Sequence, residues 1–473
     1  GRRMAVNGSG REDSTRTFDG DDVDYDSVGS AEAPRLIVAL SCRKPLVPGV
    51  RISLSSAREV YLRRGTRLDV KRAGPRIDLT LDDEALSRQH AVLRRVVGGW
   101  ELEDLGSKNG TVVSGDRYMR TTLADGDLIE IGSTMLVFRE TDVGNQGVRE
   151  LADSDLAFEA ESSAPQVFRT MVLDLERRLA DLAQIAPSQL PVLVRGETGT
   201  GKELVARAVH DLSTRRGPFI AINCGALPRT LVESELFGYK RGAFSDARED
   251  RDGLVRRAHG GTLFLDEVAE LPAESQVALL RVLQEGEVRP LGAAEHIAVD
   301  VRVVAATHQD IQQRIAAGTF RQDLYARLAG FQLLLPPLRD RREDLGILVA
   351  AILRRIGEDA EQVTLHRQAA RALFCYGYPL NIRELEQALR AAVVFSRGQQ
   401  IRAEHLPEAI RHCRPITQLA IRPEDQALRQ RLHEILAETR GNVAAAARML
   451  NKAPIQVRRW CRRLSIDLAS FRM

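Results

Sequence analysis

The spacing of hydrophobic residues along the 473-residue chain changes character several times. Residues 1–33 are rich in Asp, Gly and Ser, with Asp19-Gly20-Asp21-Asp22 near the middle. They carry too little apolar surface to offset the entropy of ordering, which predicts a disordered tail. Over about 34–140, short alternating segments such as Leu36-Ile37-Val38-Ala39-Leu40 and Trp100-Glu101-Leu102-Glu103 are separated by Gly, Asp and Asn turns. That pattern predicts a small all-β domain. A polar stretch, 141–165, reads as a linker. From 166 to the Pro336-Pro337 pair, apolar strands alternate with helical segments, the order expected of a mainly parallel α/β sheet, and a helical lid over about 338–397 completes this domain. A looser stretch, 398–422, reads as a second linker. Three short helices are predicted over 423–473. Leu428, Leu432, Ile435 and Leu436 mark one face of the first, Gly441 suits its stop, and Asn442 suits the next N-cap.

At roughly 150 residues per domain the length allows about three domains, in keeping with these three patterned regions. The composition, 44% hydrophobic and 28% charged, is that of a soluble globular protein. No apolar run approaches the roughly 20 residues that span a bilayer, and Arg2-Arg3 is followed by polar residues instead of a signal core, so a cytoplasmic location is expected. Five scattered cysteines without a C-x-x-C pair fit neither a disulfide framework nor a zinc site. The net charge of +3 hides an asymmetry: residues 422–473 hold eleven Lys/Arg against five Asp/Glu. A basic terminal segment on a near-neutral body suggests a nucleic-acid contact, although a solvated helix face is the commoner explanation of charge alone.

Candidate chemistry centres on Leu190–Val209. A buried strand to Arg195 leads into Gly196-Glu197-Thr198-Gly199-Thr200-Gly201-Lys202, and a helix begins at Glu203. Glycines let backbone N–H groups curl around phosphate oxygens, the helix N-terminus adds positive potential, and Lys202 reaches the terminal phosphates of ATP. Glu203 occupies the position where a Ser or Thr would place a hydroxyl on Mg2+. Downstream, the apolar strand Thr262-Leu263-Phe264-Leu265 ends in Asp266 and Glu267. Asp266 is expected to hold the magnesium through water and Glu267 to polarise the attacking water. An isolated Asp-Glu pair is more often the acidic edge of a buried strand; the upstream loop changes that balance.

Asn223 in Ile222-Asn223-Cys224, Glu235-Leu236-Phe237-Gly238, Gly242-Ala243-Phe244-Ser245-Asp246-Ala247, the run Phe320–Leu328 and Pro336-Pro337-Leu338-Arg339 resemble the AAA+ domain of σ54-dependent activators, over about 166–397. The resemblance implies that Asn223 restrains Glu267 in a nucleotide-dependent switch. It also implies that Arg321 and Arg327 act across a subunit boundary of a homo-oligomeric ring as arginine fingers, an effect worth about 10³ to 10⁵ in rate. Arg383 resembles the lid's sensor arginine, with Leu380 in place of the usual Gly nearby. Thr307 falls at the first sensor, followed by His308 where Asn is commoner. Gly242, Ala243, Phe244, Ser245, Asp246 and Ala247 resemble the family's σ54-contacting loop, small residues flanking one aromatic that is pushed at a partner. Asp246 replaces a Gly there and adds a negative charge.

Residues 35–140 resemble a forkhead-associated (FHA) domain, a β-sandwich, through Arg64, Ser87-Arg88-Gln89-His90 and Ser107-Lys108-Asn109-Gly110-Thr111. Arg64, Ser87 and Arg88 offer charge-assisted bonds to a phosphothreonine and Asn109 fixes the peptide backbone, while His90 supports the loop. Arg63 replaces the Gly expected there, and either crowds the loop or adds a phosphate contact. An FHA fold kept only for protein contacts is the blander alternative. The terminal helices resemble a Fis-type helix-turn-helix, with Gln456, Arg458, Arg459 and Arg462 suited to base-edge and phosphate contacts in double-stranded DNA.

The sequence therefore predicts a multidomain protein: FHA β-sandwich, α/β AAA+ ATPase with helical lid, and an all-α helix-turn-helix. Its expected function is to remodel σ54 RNA polymerase by ATP hydrolysis at an upstream DNA site, with a phosphothreonine protein or peptide as input. The rival is an AAA+ protein remodeller or chaperone that never acts on promoters. A DNA-bound scaffold with an inactive ATPase is a third reading.

Overall fold

The computed structural model describes residues 32–47, 49–97, 99–142, 154–157, 165–244, 247–357, 362–413, 423–439 and 441–450, with Val457, Trp460, Cys461, Ile466 and Phe471 beyond them. The expected N-terminal tail, Ser245, Asp246, Gln456, Arg458, Arg459 and Arg462 lie outside the described residues.

The alternating segments of the first domain build two facing sheets. Glu32–Ser41 runs antiparallel between Val50–Ser53 and Thr134–Asp142, and Glu59–Arg64 lies parallel to Arg76–Leu81 and antiparallel to Ala91–Val96. The inward positions, among them Leu36, Ile52, Val60, Leu62, Ile77, Trp100 and Phe138, form one core between the sheets. Part of the expected linker 141–165 belongs here. Leu156–Ala157 adds a short edge strand to Val50–Ser53, and Asp155 accepts from the Ser53 N–H and pairs with Arg72. Two strand residues inside a polar stretch give no periodic signal.

The second domain has five parallel strands in the spatial order Phe219–Asn223, Thr262–Asp266, Arg302–Thr307, Val192–Arg195, Phe331–Leu334. Parallel strands bury both faces, which is why they read as continuous apolar runs. Helices Leu173–Ile185, Lys202–Asp211 and Ala273–Glu285 cover them. Two small hairpins project from this body. Gly238–Tyr239 pairs with Arg251–Asp252, and Glu287–Val288 with Ile297–Ala298.

The lid consists of Leu345–Ile356, Arg367–Cys375 and Asn381–Phe395, and it does not stop at 397. Gln400–Ile401 pairs with Thr364–Leu365, and Glu408–Arg411 follows as a last helical turn. Ile401, Leu406 and Ile410 are buried with Leu373 and Leu389, so the first part of the expected linker 398–422 is lid. Three apolar residues at irregular spacing fit neither a helical nor a strand period, and only tertiary packing shows their role.

The sandwich is packed against the lid. Ile37, Ala39, Leu40, Cys42, Met135 and Val137, on the outer face of the first sheet, share a core with Leu345, Val349, Leu353 and Leu373. Fully buried Glu130 accepts two bonds from Arg371 at 2.6 and 2.7 Å, and the Leu365 N–H donates to the Cys42 carbonyl at 2.7 Å. Buried Arg51 reaches Glu176 at 2.7 Å and the Met171 carbonyl at 3.1 Å, on the entry to the ATPase body.

At the far end, helices Pro423–Glu438 and Val443–Met449 are joined as the sequence suggests. Gly441 adopts φ +72°, and the Asn442 side chain accepts from the Ala444 and Ala445 N–H groups. Leu432, Leu436, Val443, Ala446, Ala447, Val457 and Cys461 form their core.

Candidate functional site

Residues Gly196–Gly201 link the strand Val192–Arg195 to helix Lys202–Asp211, so the loop opens at the carboxyl ends of the parallel strands, where ligands bind in such sheets. Gly199 and Gly201 take φ +80° and +100°, and a side chain at Gly199 would also run into the Leu380 carbonyl of the lid. Lys202 is buried, and its Nζ donates to the Gly196 carbonyl at 2.9 Å and the Glu197 carbonyl at 3.3 Å. The same amine lies 3.7 Å from Glu267. Asp266 ends the neighbouring strand; burial and then the adjacent Glu267 push its carboxyl above the usual range, while Lys202 opposes them. A half-buried pair of carboxylates beside one lysine has the donor chemistry for a hard divalent cation at phosphate.

Asn223 does not hold Glu267 here. It stands in register with Asp266, and its Nδ2 donates to Asp266 Oδ2 at 3.3 Å, while its Oδ1 accepts from the Gly225 and Ala226 N–H groups. Glu267, one residue on and in a left-handed conformation at φ +52°, turns the other way. Its carboxylate contacts His308 Nδ1 at 2.7 Å and accepts from the His308 N–H at 3.3 Å. Thr307 is fully buried beside the loop, its carbonyl accepting from the Gly196 N–H and its hydroxyl from the Gln309 N–H.

Two expected nucleotide contacts are redirected. Glu203 points outward and pairs with Arg207 one helical turn on, at 2.8 Å, so its side chain is not on the phosphate side. Glu197 is gripped by the lid: Arg339 donates to both its oxygens at 2.8 and 2.5 Å, and buried Asn381 donates to it at 3.1 Å and to the Thr198 carbonyl at 3.0 Å. The Arg339 bonds hold its carboxyl below the usual range. The sequence singles out neither Arg339 nor Asn381 as a loop contact, although Arg339 ends the Pro336–Arg339 motif and Asn381 lies between Leu380 and Arg383. Leu380 keeps φ −102°, with the left-handed turns on Tyr378 and Asn381, so no glycine is required there. Arg383 is exposed above the loop and, among the described residues, has no ion pair. Arg321 is exposed and paired with Asp323 at 2.7 Å; Arg327 is exposed and without an ion pair among the described residues.

In the hairpin loop, Gly242 takes φ +83° and its N–H donates to the Ala247 carbonyl, while buried Ala247 donates to the Phe244 carbonyl. Phe244 is exposed, with its ring 4.9 Å from Tyr239 edge-on. Ala243 abuts Gly292 of the second hairpin, which the sequence reading missed.

In the sandwich, Arg64, Arg88 and the Lys108 ammonium group are exposed and have no ion pair among the described residues. The Ser87 hydroxyl accepts from the Lys108 N–H at 3.1 Å, and Asn109 donates to the Ala85 carbonyl at 2.7 Å. His90 is fully buried, accepts from the Ser87 N–H at 3.2 Å, and is shifted by burial toward the neutral form, a support for the loop. Arg63 is directed to Asp78, 3.2 Å away, and to the Tyr61 ring, so it does not join this cluster.

A parallel sheet with its phosphate loop, paired carboxylates and sensor strand under a helical lid defines an AAA+ ATPase. Comparison with known proteins agrees. The Sigma-54 interaction domain matches residues 171–334, the AAA+ ATPase lid domain 339–420 and the FHA domain 64–132. The hydrogenase transcriptional regulatory protein HoxA of Cupriavidus necator is 40% identical over 335 residues, 67% of this chain and 69% of HoxA. The regulatory protein AtoC of Escherichia coli is 44% identical over 283 residues, 57% of this chain and 61% of AtoC. The structure of NtrX from Brucella abortus with ADP is 29% identical, with a TM-score of 0.49, over 63% of this chain and 70% of that one. The chain belongs to the σ54-dependent transcriptional regulators, and it carries an FHA domain ahead of its ATPase. Among the described residues no helix is long and apolar enough to cross a membrane.

Proposed function

We propose that this protein is a DNA-bound ring ATPase that converts ATP hydrolysis into remodelling of σ54 RNA polymerase to an open complex, with phosphothreonine recognition by the FHA domain as its input. The observation that carries the reading is the convergence of Lys202, Asp266 and Glu267 beneath a lid whose Arg339 and Asn381 grip the phosphate loop, on the same domain that exposes Phe244. Loop N–H groups and Lys202 bind the phosphates; Lys202 exchanges its bonds to the Gly196 and Glu197 carbonyls for phosphate oxygens. Asp266 would hold a magnesium ion, which when bound would neutralise phosphate charge. Glu267 takes a proton from the attacking water, with His308 setting the carboxylate's direction. Arg383, and Arg321 and Arg327 from a neighbouring subunit, are assigned to the charge that develops on the phosphates. The lid grip on Glu197 carries the nucleotide state outward, and the Phe244 loop delivers it to σ54. Gln456, Arg458, Arg459 and Arg462 are assigned to DNA.

Open-complex formation on a σ54 promoter, measured with ATP, with a non-hydrolysable analogue and without nucleotide, tests this. Opening that requires hydrolysis supports the reading. ATP turnover with no opening on any σ54 promoter supports the rival, a remodeller of other proteins.

A further inference from the structure

The docked sandwich and lid leave a cleft of about 530 Å³ between them. One wall is FHA, with Ala85, Asn109 and Ser133; the other is the start of the lid helix Arg367–Cys375, with His366, Arg367 and Gln368. The walls are fixed relative to each other by the Leu365 N–H to Cys42 carbonyl bond and, behind it, the Glu130–Arg371 pair. Asn109 faces both this cleft and the loop that holds Ser87. Ala85 and Ser87 are two residues apart, a span of at most roughly 7 Å, so an extended peptide anchored by phosphate at Ser87 places a residue two or three positions away in the cleft.

The charges in that space are uneven. Glu84 is spent on Arg43 at 2.6 Å and Asp82 on Lys44, while Asp83 points inward and accepts from the Ser133 and Ala85 N–H groups. Arg367 has no ion pair or side-chain hydrogen bond among the described residues. A free guanidinium on the wall of a polar cleft selects a carboxylate.

We infer that the phosphothreonine site is composite: the FHA loops hold the phosphate and Arg367 of the lid holds an acidic residue two or three positions from the phosphothreonine. This rests on the reading of the FHA domain as a phosphothreonine binder. The bound peptide then spans FHA domain and lid, and its sequence preference is set partly by the ATPase.

Fluorescence anisotropy on the full chain tests it, with synthetic phosphothreonine peptides carrying Glu, Ala or Lys two and three positions to either side. The wild type is expected to bind a Glu-flanked peptide about tenfold more tightly than the Ala-flanked one. Arg367→Ala should reduce that ratio to about twofold or less, Arg367→Lys should retain most of it, and Arg367→Glu should turn the preference to Lys-flanked peptides. A structural defect would not reverse a preference. Equal binding of Glu- and Ala-flanked peptides by the wild type, or an unchanged ratio in Arg367→Ala, overturns the composite site and leaves the phosphothreonine reading standing. Failure of the wild type to distinguish phosphorylated from unphosphorylated peptides removes both.

Discussion

Glu267 lies between Lys202 at 3.7 Å and His308 at 2.7 Å, so one carboxylate touches both the buried loop lysine and the residue that follows Thr307. The two partners predict different defects. Lys202→Ala removes the amine that bonds the Gly196 and Glu197 carbonyls and is assigned to the phosphates, and ATP binding should weaken at least tenfold with turnover lost. Glu267→Ala should bind ATP within about threefold of the wild type while turnover falls by about 10² or more, because it removes a proton acceptor and leaves the phosphate contacts. Equilibrium binding of a labelled ATP alongside steady-state hydrolysis separates them; normal hydrolysis by Glu267→Ala would falsify the assigned role. Lys202 was legible from the strand, loop and helix around it, and Asp266 and Glu267 from the end of the apolar strand Thr262–Asp266, each a short local pattern. The partner of Glu267 was not. His308 is 41 residues away, and which of Asn223 or His308 faces the carboxylate depends on the strand register and on the left-handed turn at Glu267.

Asp344 ties two elements by giving up its own helix. It precedes Leu345–Ile356, yet its oxygens accept from the Thr170 hydroxyl at 2.7 Å and the Met171 N–H at 2.6 Å, joining the lid to the entry of the ATPase body. Burial pushes its carboxyl up to about 6 from the ordinary 3.8, with Arg341 opposing. Between those values the folded protein keeps a proton that the unfolded chain has released. This group's contribution to stability is therefore fully present below about 4 and is lost as pH rises toward 6, by on the order of 3 kcal/mol. Asp344→Asn can still accept from Met171 and donate to Thr170, so it should fold and flatten that part of the profile. Denaturant melts of both proteins from pH 4 to 7 check this, and parallel profiles would sink it. The paired hairpins form another element-scale device. Phe244→Ala deletes an exposed ring resting on Tyr239 and no core contact, so ATP hydrolysis and DNA binding should stay within about twofold while open-complex formation is lost. Wild-type opening by this variant would remove the loop from the coupling path.

Across the whole molecule, the domain patterns of period two and period 3.6 were readable, but how the domains meet was not. Leu36–Leu40 and Met135–Phe138 are unbroken apolar runs, which marks both strand faces as buried, but nothing local reveals that the second side meets Leu345 and Leu353. Glu130 and Arg371 are 241 positions apart and leave no sequence signature. Arg371→Ala strands Glu130 without its partner, at a cost of about 3–5 kcal/mol to the docked arrangement. Hydrogen exchange should quicken in both Leu128–Ile131 and Arg367–Cys375, and wild-type rates in both segments would refute the interface.

That shared core changes what counts as a portable part. Regulatory heads joined by flexible tethers can be traded between genes at the tether, because each half remains whole. Here a crossover within 141–165 would bring in a foreign head lacking the Ile37–Val137 face and Glu130, exposing an apolar lid surface and leaving Arg371 unmatched. The exchangeable unit is the sandwich together with its lid, two stretches of gene separated by the catalytic body. Chimaeras that transplant the front domain alone should lose solubility, and those that also carry over the lid's docking face should regain it.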